Sequence, residues 1–161
     1  MTSDISPPPA GARAAEPFEQ DVAEILTGDG KRHRFRVEIV STPQDRAQSL
    51  QGRKQLAAET GMLFDFGVPL PVYMWMKNTY IALDMIFIAP DGRIVNIDRG
   101  TPPESLAIIE SAGPVRAVLE VPTGTAASLT ACPHTHRHNS NKKKYIYEWN
   151  FCSMISNRST P

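Results

Sequence analysis

The chain has no cysteine before Cys132 and, up to that point, a single histidine, His33. Covalent catalysis needs a nucleophile beside a base, and no serine here sits in a glycine-flanked elbow, so Ser/His and Cys/His chemistry lack their parts. No glycine-rich phosphate loop or dinucleotide fingerprint is present. No apolar run approaches the roughly 20 residues of a membrane-spanning helix. An excess of one charge is also missing: Lys plus Arg and Asp plus Glu each total 17. The basic residues are scattered rather than striped, which argues against a nucleic-acid binder.

What remains is a chain of 161 residues, 41% hydrophobic and 21% charged, long enough for one domain with a real core. Residues 1–17 are rich in Pro, Ala and Ser and do not suit a packed fold. Ala12-Arg13-Ala14 within them resembles the small-residue cleavage site of an export signal, but no apolar stretch precedes it. Two readings stay open: a disordered leader on a cytoplasmic protein, or the remnant of a signal whose true start lies upstream, giving a periplasmic or secreted protein.

From Val22 onward the sequence reads as short strands. Val22 to Leu26 is followed by a Gly28-Asp29-Gly30 turn, after which His33, Phe35, Val37 and Ile39 alternate with charged residues, the pattern of a half-buried hairpin strand. Thr42-Pro43-Gln44-Asp45 opens a short helix, with Thr42 as N-cap, and the helix ends near Gly52. Gly61 to Phe66, Val72 to Met76, Ile81 to Ala89, Arg93 to Asp98, Leu106 to Ile109 and Val115 to Val121 are further strands, with a tight turn at Pro90-Asp91-Gly92. Closely spaced turns predict an all-β fold with one short helix, of the sandwich or barrel kind.

The segment from Val72 to Ile88 carries the chemistry. Trp75, Lys77, Asn78 and Asp84 interrupt an apolar, strand-like run, and a charge buried there without a partner is costly. In a regular strand Val72, Met74 and Met76 would face the core while Tyr73, Trp75 and Lys77 share the other face. Lys77 beside Trp75 and Asn78 would then offer a cation, an amide and an aromatic wall to a polar or anionic ligand. The plainer alternative has Trp75 in the core, Lys77 reaching solvent and Asn78-Thr79 closing a turn. Asp84 wants a partner, for which Arg53, Lys77 and Arg116 are candidates. Glu120, between Leu119 and Val121, poses the same question; if the two carboxylates met in a cleft, an acid–base hydrolase would be conceivable.

Composition shifts near Thr130. All 10 glycines precede it, whereas both cysteines, three of the four histidines and Lys142-Lys143-Lys144 follow. Residues 1–129 hold 12 basic and 16 acidic groups, net −4; residues 130–161 hold 5 basic and 1 acidic, net +4. That tail is expected to have no independent fold, apart from a strand-prone stretch at Tyr145 to Phe151. Cys132, His134, His136, His138 and Cys152 are metal-ligating types, but their spacing lacks the fixed pairs of a structural site, so no metal and no cofactor is assigned.

From about Phe35 to Leu129 the sequence resembles the domain-of-unknown-function 192 family of small bacterial and archaeal proteins. The resemblance rests on Gly61-Met62-Leu63-Phe64-Asp65-Phe66, Trp75-Met76-Lys77-Asn78-Thr79, Leu83-Asp84-Met85-Ile86-Phe87-Ile88, Asp91-Gly92-Arg93-Ile94-Val95, and Ser111-Ala112-Gly113-Pro114 leading to Val118-Leu119-Glu120. It implies an antiparallel β-sandwich of jelly-roll type over residues 18–129 and no established activity. Relatives that look exported favour the signal-remnant reading. Arg53 matches the family's arginine, while the Ser49-Leu50-Gln51-Gly52 before it departs from the usual pattern. The family's closing glycine turn and last strand are absent after Leu129, which implies an uncovered sheet edge.

The resulting expectation is a binding or accessory module whose cleft is lined by Arg53, Trp75, Lys77, Asn78, Asp84 and Glu120. The alternatives are a hydrolase using Asp84 and Glu120, and a purely structural domain.

Overall fold

The structure, a computed structural model, describes residues 18–129 together with the backbone of 145–148. Strands β1 (Glu19–Leu26) and β2 (Arg32–Val40) form the expected hairpin, closed by Thr27 N–H donating to Lys31 O at 2.9 Å. Helix α1 (Pro43–Gln48) follows, with Thr42 Oγ1 accepting from Asp45 N at 3.1 Å as an N-cap. Then come β3 (Thr60–Leu70), β4 (Tyr73–Met74), β5 (Leu83–Ile88), β6 (Ile94–Thr101), β7 (Ile109–Glu110) and β8 (Val115–Pro122). A 3-10 helix at Thr125–Leu129 and β9 (Tyr145–Glu148) complete the described elements.

Seven strands make one sheet in the order β6-β5-β8-β3-β2-β1-β9, and β4 and β7 make a separate ribbon. The all-β expectation with one short helix is borne out, but the sheet is mixed. The β2–β3 pair is parallel because α1 and the loop after it carry the chain back to the starting end, a crossover that a tight turn cannot make. The β1–β9 pair is parallel as well, so part of the tail covers the β1 edge over Ala23 to Leu26. These pairings do not establish the jelly-roll arrangement. Two predicted strands are shorter than expected: of Val72 to Met76 only Tyr73–Met74 pairs, and of Leu106 to Ile109 only the last residue enters β7.

Both faces of the sheet are packed. Phe35, Val37 and Ile39 of β2 lie on one face with Leu63, Ile86, Ile88, Leu119 and Val121. The other face carries Met62, Phe64, Met85, Phe87 and Val118 under Leu50, Val72, Met76 and Ile109 from the segments that cross it. Every residue of β5 is buried, as befits a strand covered on both sides. Strand β3 lies so close to β8 at Gly61 that an added Cβ would stand 2.7 Å from the Glu120 carbonyl oxygen, which explains a glycine inside a strand.

A polar side chain on such a strand needs partners within the protein, and Asp84 has them. Its carboxylate accepts from Gly100 N and Ala126 N, each at 2.8 Å, and lies 3.5 Å from Thr123 Oγ1. It thereby ties β5 to the end of β6 and to the first turn of the 3-10 helix, where a carboxylate suits the exposed amides. None of the arginine or lysine partners anticipated for it is used. Asp84→Ala would strand the buried Ala126 amide and release the more exposed Gly100 amide, and is expected to cost about 1–3 kcal/mol in denaturant unfolding, with Asp84→Asn costing less. Equal stability of the alanine variant would contradict this role.

Candidate functional site

The segments crossing the second face leave a pocket of about 500 Å³ between the end of α1, β3, β4 and the turn that follows it. Its position follows from the alternation at residues 72–77. Val72 and Met76 are buried and Met74 is half-buried, whereas Tyr73 and Trp75 are more than half exposed. The expected parity therefore holds although only two of these residues are formally strand. It leaves the Trp75 ring and Lys77 on the pocket side, with Lys77 Nζ 5.7 Å from the ring centroid, a cation–π contact.

Asn78 closes the turn. Its φ of 57° is left-handed, a conformation asparagine tolerates better than most residues, and Thr79 N donates to Met76 O at 3.0 Å across the turn. The Asn78 carbonyl accepts from Gly52 N at 3.1 Å, and its side-chain amide reaches Gln51 Oε1 at 3.5 Å. Asn78 thus joins two walls of the pocket, the turn and the loop after α1. The structural role foreseen as the plain alternative is met, and the residue lines the pocket too.

On the opposite side, Arg46 of α1 lies 5.3 Å over the Phe66 ring and donates from Nη1 to Ser41 O at 2.8 Å. Its second backbone contact, Asp65 O, is at 3.5 Å. Arg46, Ser49, Gln51, Phe64, Phe66, Tyr73, Met74 and Thr79 also line the pocket. The sequence reading did not assign these to the site. Phe64 and Phe66, alternating within a motif, Tyr73, on the same predicted face as Trp75 and Lys77, and Thr79, at the end of the Trp75 motif, carried a hint; Arg46 did not.

Glu120 also lines the pocket. Strand register places it between Met62 of β3 and Met85 of β5, two fully buried side chains. It is only 4% exposed, and its carboxyl group has no hydrogen-bond or ion-pair partner among the described residues. Burial among apolar neighbours disfavours the charged form and pushes its pKa up to about 8, so the group is predominantly a neutral acid at pH 7. Perturbed, desolvated groups of this kind in a cleft mark functional sites more often than other carboxylates do.

Of the six residues anticipated, Trp75, Lys77, Asn78 and Glu120 come together; Arg53 and Asp84 do not. Arg53 forms a two-pronged pair with Glu38, Nη1 to Oε1 at 2.9 Å and Nη2 to Oε2, beside a separate groove lined by Arg36, Gln55 and Thr60. Asp84 faces the other side of the sheet. It is paired with Val121 while Glu120 is paired with Met85, and those two partners lie on opposite faces. The two carboxylates therefore do not meet in one cleft, and the acid–base pair imagined for a hydrolase is not formed. The cysteines and histidines of the tail lie outside the described residues.

The raised pKa of Glu120 has a consequence for stability. Below pH 4.5 the carboxyl is protonated whether the chain is folded or not. Between 4.5 and about 8 the unfolded chain releases the proton while the folded one keeps it, so stability falls as pH rises and levels off above about 8. Glu120→Gln removes this dependence. It is expected to unfold like the wild type at pH 4.5 but to be more stable at pH 9 by on the order of 2–5 kcal/mol in urea titrations. A difference that is the same at both pH values would contradict the assignment.

The family profile of DUF192, described as "Uncharacterized ACR", matches residues 24–135. No curated protein matches the sequence. Among solved structures, a protein from Sinorhizobium meliloti 1021, described as a "putative transcription regulator", is similar with a TM-score of 0.70 and 45% identity, over 73% of this chain and 92% of that one. A protein of unknown function from Novosphingobium aromaticivorans DSM 12444 is similar with a TM-score of 0.67 and 36% identity, over 74% of this chain and 90% of that one. With a fold shared with these structures and the profile matched from the end of β1 through β8, the chain belongs to the DUF192 family.

Proposed function

We propose that this protein is a small-ligand binding module whose site is the pocket between α1 and the Trp75 to Thr79 turn, and that the ligand is polar or anionic. One observation carries the reading: a buried carboxyl group, Glu120, that nothing in the described protein satisfies, opening onto a cavity of about 500 Å³. A carboxyl group reached only through the cavity and set among apolar side chains is costly to ionise, and a ligand that completes its hydrogen bonding would use a group that the described fold leaves unengaged. Cavities of this size suit small molecules. Trp75 and Tyr73 at the mouth are exposed aromatic surface of the kind a ligand covers. Arg53 and Asp84, being engaged elsewhere, are left out of the site. The description of the S. meliloti relative is not carried over: the six-residue α1 offers no recognition helix, and the basic residues are scattered along the sequence rather than gathered in a stripe.

A thermal-shift screen of metabolites, sugars and cell-wall fragments against the full chain tests the proposal. A true ligand stabilises by about 2.7 kcal/mol at one hundred times its Kd, and its effect grows with concentration. The expected result is a stabiliser whose effect is lost in both Lys77→Ala and Trp75→Ala, two exposed positions whose replacement leaves the core intact. If no compound stabilises, or every stabiliser acts equally on the two variants, the pocket is not the site.

A further inference from the structure

Resting on the proposed binding role of this pocket, we infer that its ligand is an organic anion: a charged group held at the mouth between Arg46 and Lys77, a flat apolar body between the aromatic walls, and an uncharged hydrogen-bond acceptor at the far end facing the Glu120 carboxyl. The charge at the mouth supports this first. Neither Arg46 nor Lys77 has a carboxylate partner among the described residues. Each is instead seated on an aromatic ring, at 5.3 Å and 5.7 Å, which steadies the side chain without neutralising it. Arg46 commits Nη1 to backbone carbonyls, and its other two nitrogens have no partner among the described residues, leaving donors for an oxyanion.

The floor supports it second. A neutral carboxylic acid offers one O–H donor, and Glu120 has no acceptor for it among the described residues. A ligand carbonyl or ring nitrogen would satisfy that donor at no cost in buried charge. The opposite arrangement, an amine driving Glu120 to its carboxylate, would use the aromatic residues as a cation cage. However, Phe66 and Trp75 already hold the protein's own cations, and an incoming amine would meet both before reaching the floor. The walls support it third: Phe64, Phe66, Tyr73 and Trp75 surround the cavity with planar apolar surface.

The charged and titratable groups facing the cavity are Arg46 from α1, Tyr73 from β4 and Lys77 from the turn. The strands flanking Glu120 contribute only methionines, and its neighbours on the same face of β8, Val118 and Pro122, do not titrate. Glu120 is therefore the group whose protonation ties binding to pH above neutrality, and replacing it isolates that dependence from the other groups.

The test uses the full chain and three matched probes: 4-acetylbenzoate, 4-isopropylbenzoate, which lacks the acceptor, and 4-isopropylbenzylamine, which reverses the charge. Binding is followed by NMR shifts of the pocket aromatic side chains at pH 7 and pH 9. The expected order is acetylbenzoate tightest, isopropylbenzoate weaker and the amine unbound. Lys77→Ala is expected to weaken the acetylbenzoate about tenfold. If only the protonated acid accepts the ligand, affinity falls about tenfold from pH 7 to pH 9, while Glu120→Gln, which keeps a donor, binds at both pH values without that fall. An amine that binds in the pocket, and more tightly at pH 9, would overturn the ligand class while leaving the binding role standing. Absence of all three probes from the pocket would also overturn the ligand class. The binding role itself then stands or falls on the broad thermal-shift screen and its Lys77 and Trp75 variants.

Discussion

A sheet packed on both faces leaves its central strands little access to water, and that constraint decides what each polar side chain there can be. Strands β5 and β8 are neighbours, and each carries one carboxylate among apolar residues. Asp84 faces the side capped by the 3-10 helix, where two backbone amides and a hydroxyl converge on it. Glu120 faces the side covered by α1 and the β4–β7 ribbon, where its lateral neighbours are methionines and no hydrogen-bond donor among the described residues reaches it. The same residue chemistry thus gives a structural tie on one face and an unsatisfied acid on the other.

The functional assignment follows from that asymmetry. A carboxylate held by backbone amides has its hydrogen-bonding capacity occupied, so Asp84 is best understood as part of the scaffold. An acid that has no partner among the described residues and opens onto a cavity is left for something else to complete. The mouth of the cavity shows the complementary feature, two cations resting on aromatic rings without counter-charges among the described residues. Asn78 holds the turn that carries Lys77 to the loop after α1, so the geometry of the mouth depends on a left-handed residue rather than on any long element.

Much of the scaffold was legible in the sequence. The hairpin, the Thr42 cap, the turn at Asp91-Gly92 and most strands were readable because each depends on neighbours a few residues away. The parallel β2–β3 pair was not, because strand direction is settled by a crossover between distant segments. For the site, Trp75, Lys77 and Asn78 were readable as polar interruptions of an apolar run, and Glu120 as a charge among β-branched and apolar residues. Arg53 and Asp84 were drawn into the same site because the sequence shows that a charge needs a partner but not which face of the sheet it occupies. Arg46 and Gln51 were missed for the converse reason: in α1 and its loop, polar residues are ordinary, and only the fold brings them opposite Trp75.

The protonation state of Glu120 is the claim on which the account turns, and it can be observed directly. In protein labelled with ¹³C at glutamate carboxyl carbons, with Glu120→Gln used to assign the signal, the account predicts that the Glu120 resonance titrates with a midpoint near 8. A midpoint near the ordinary value of 4.5 would contradict it.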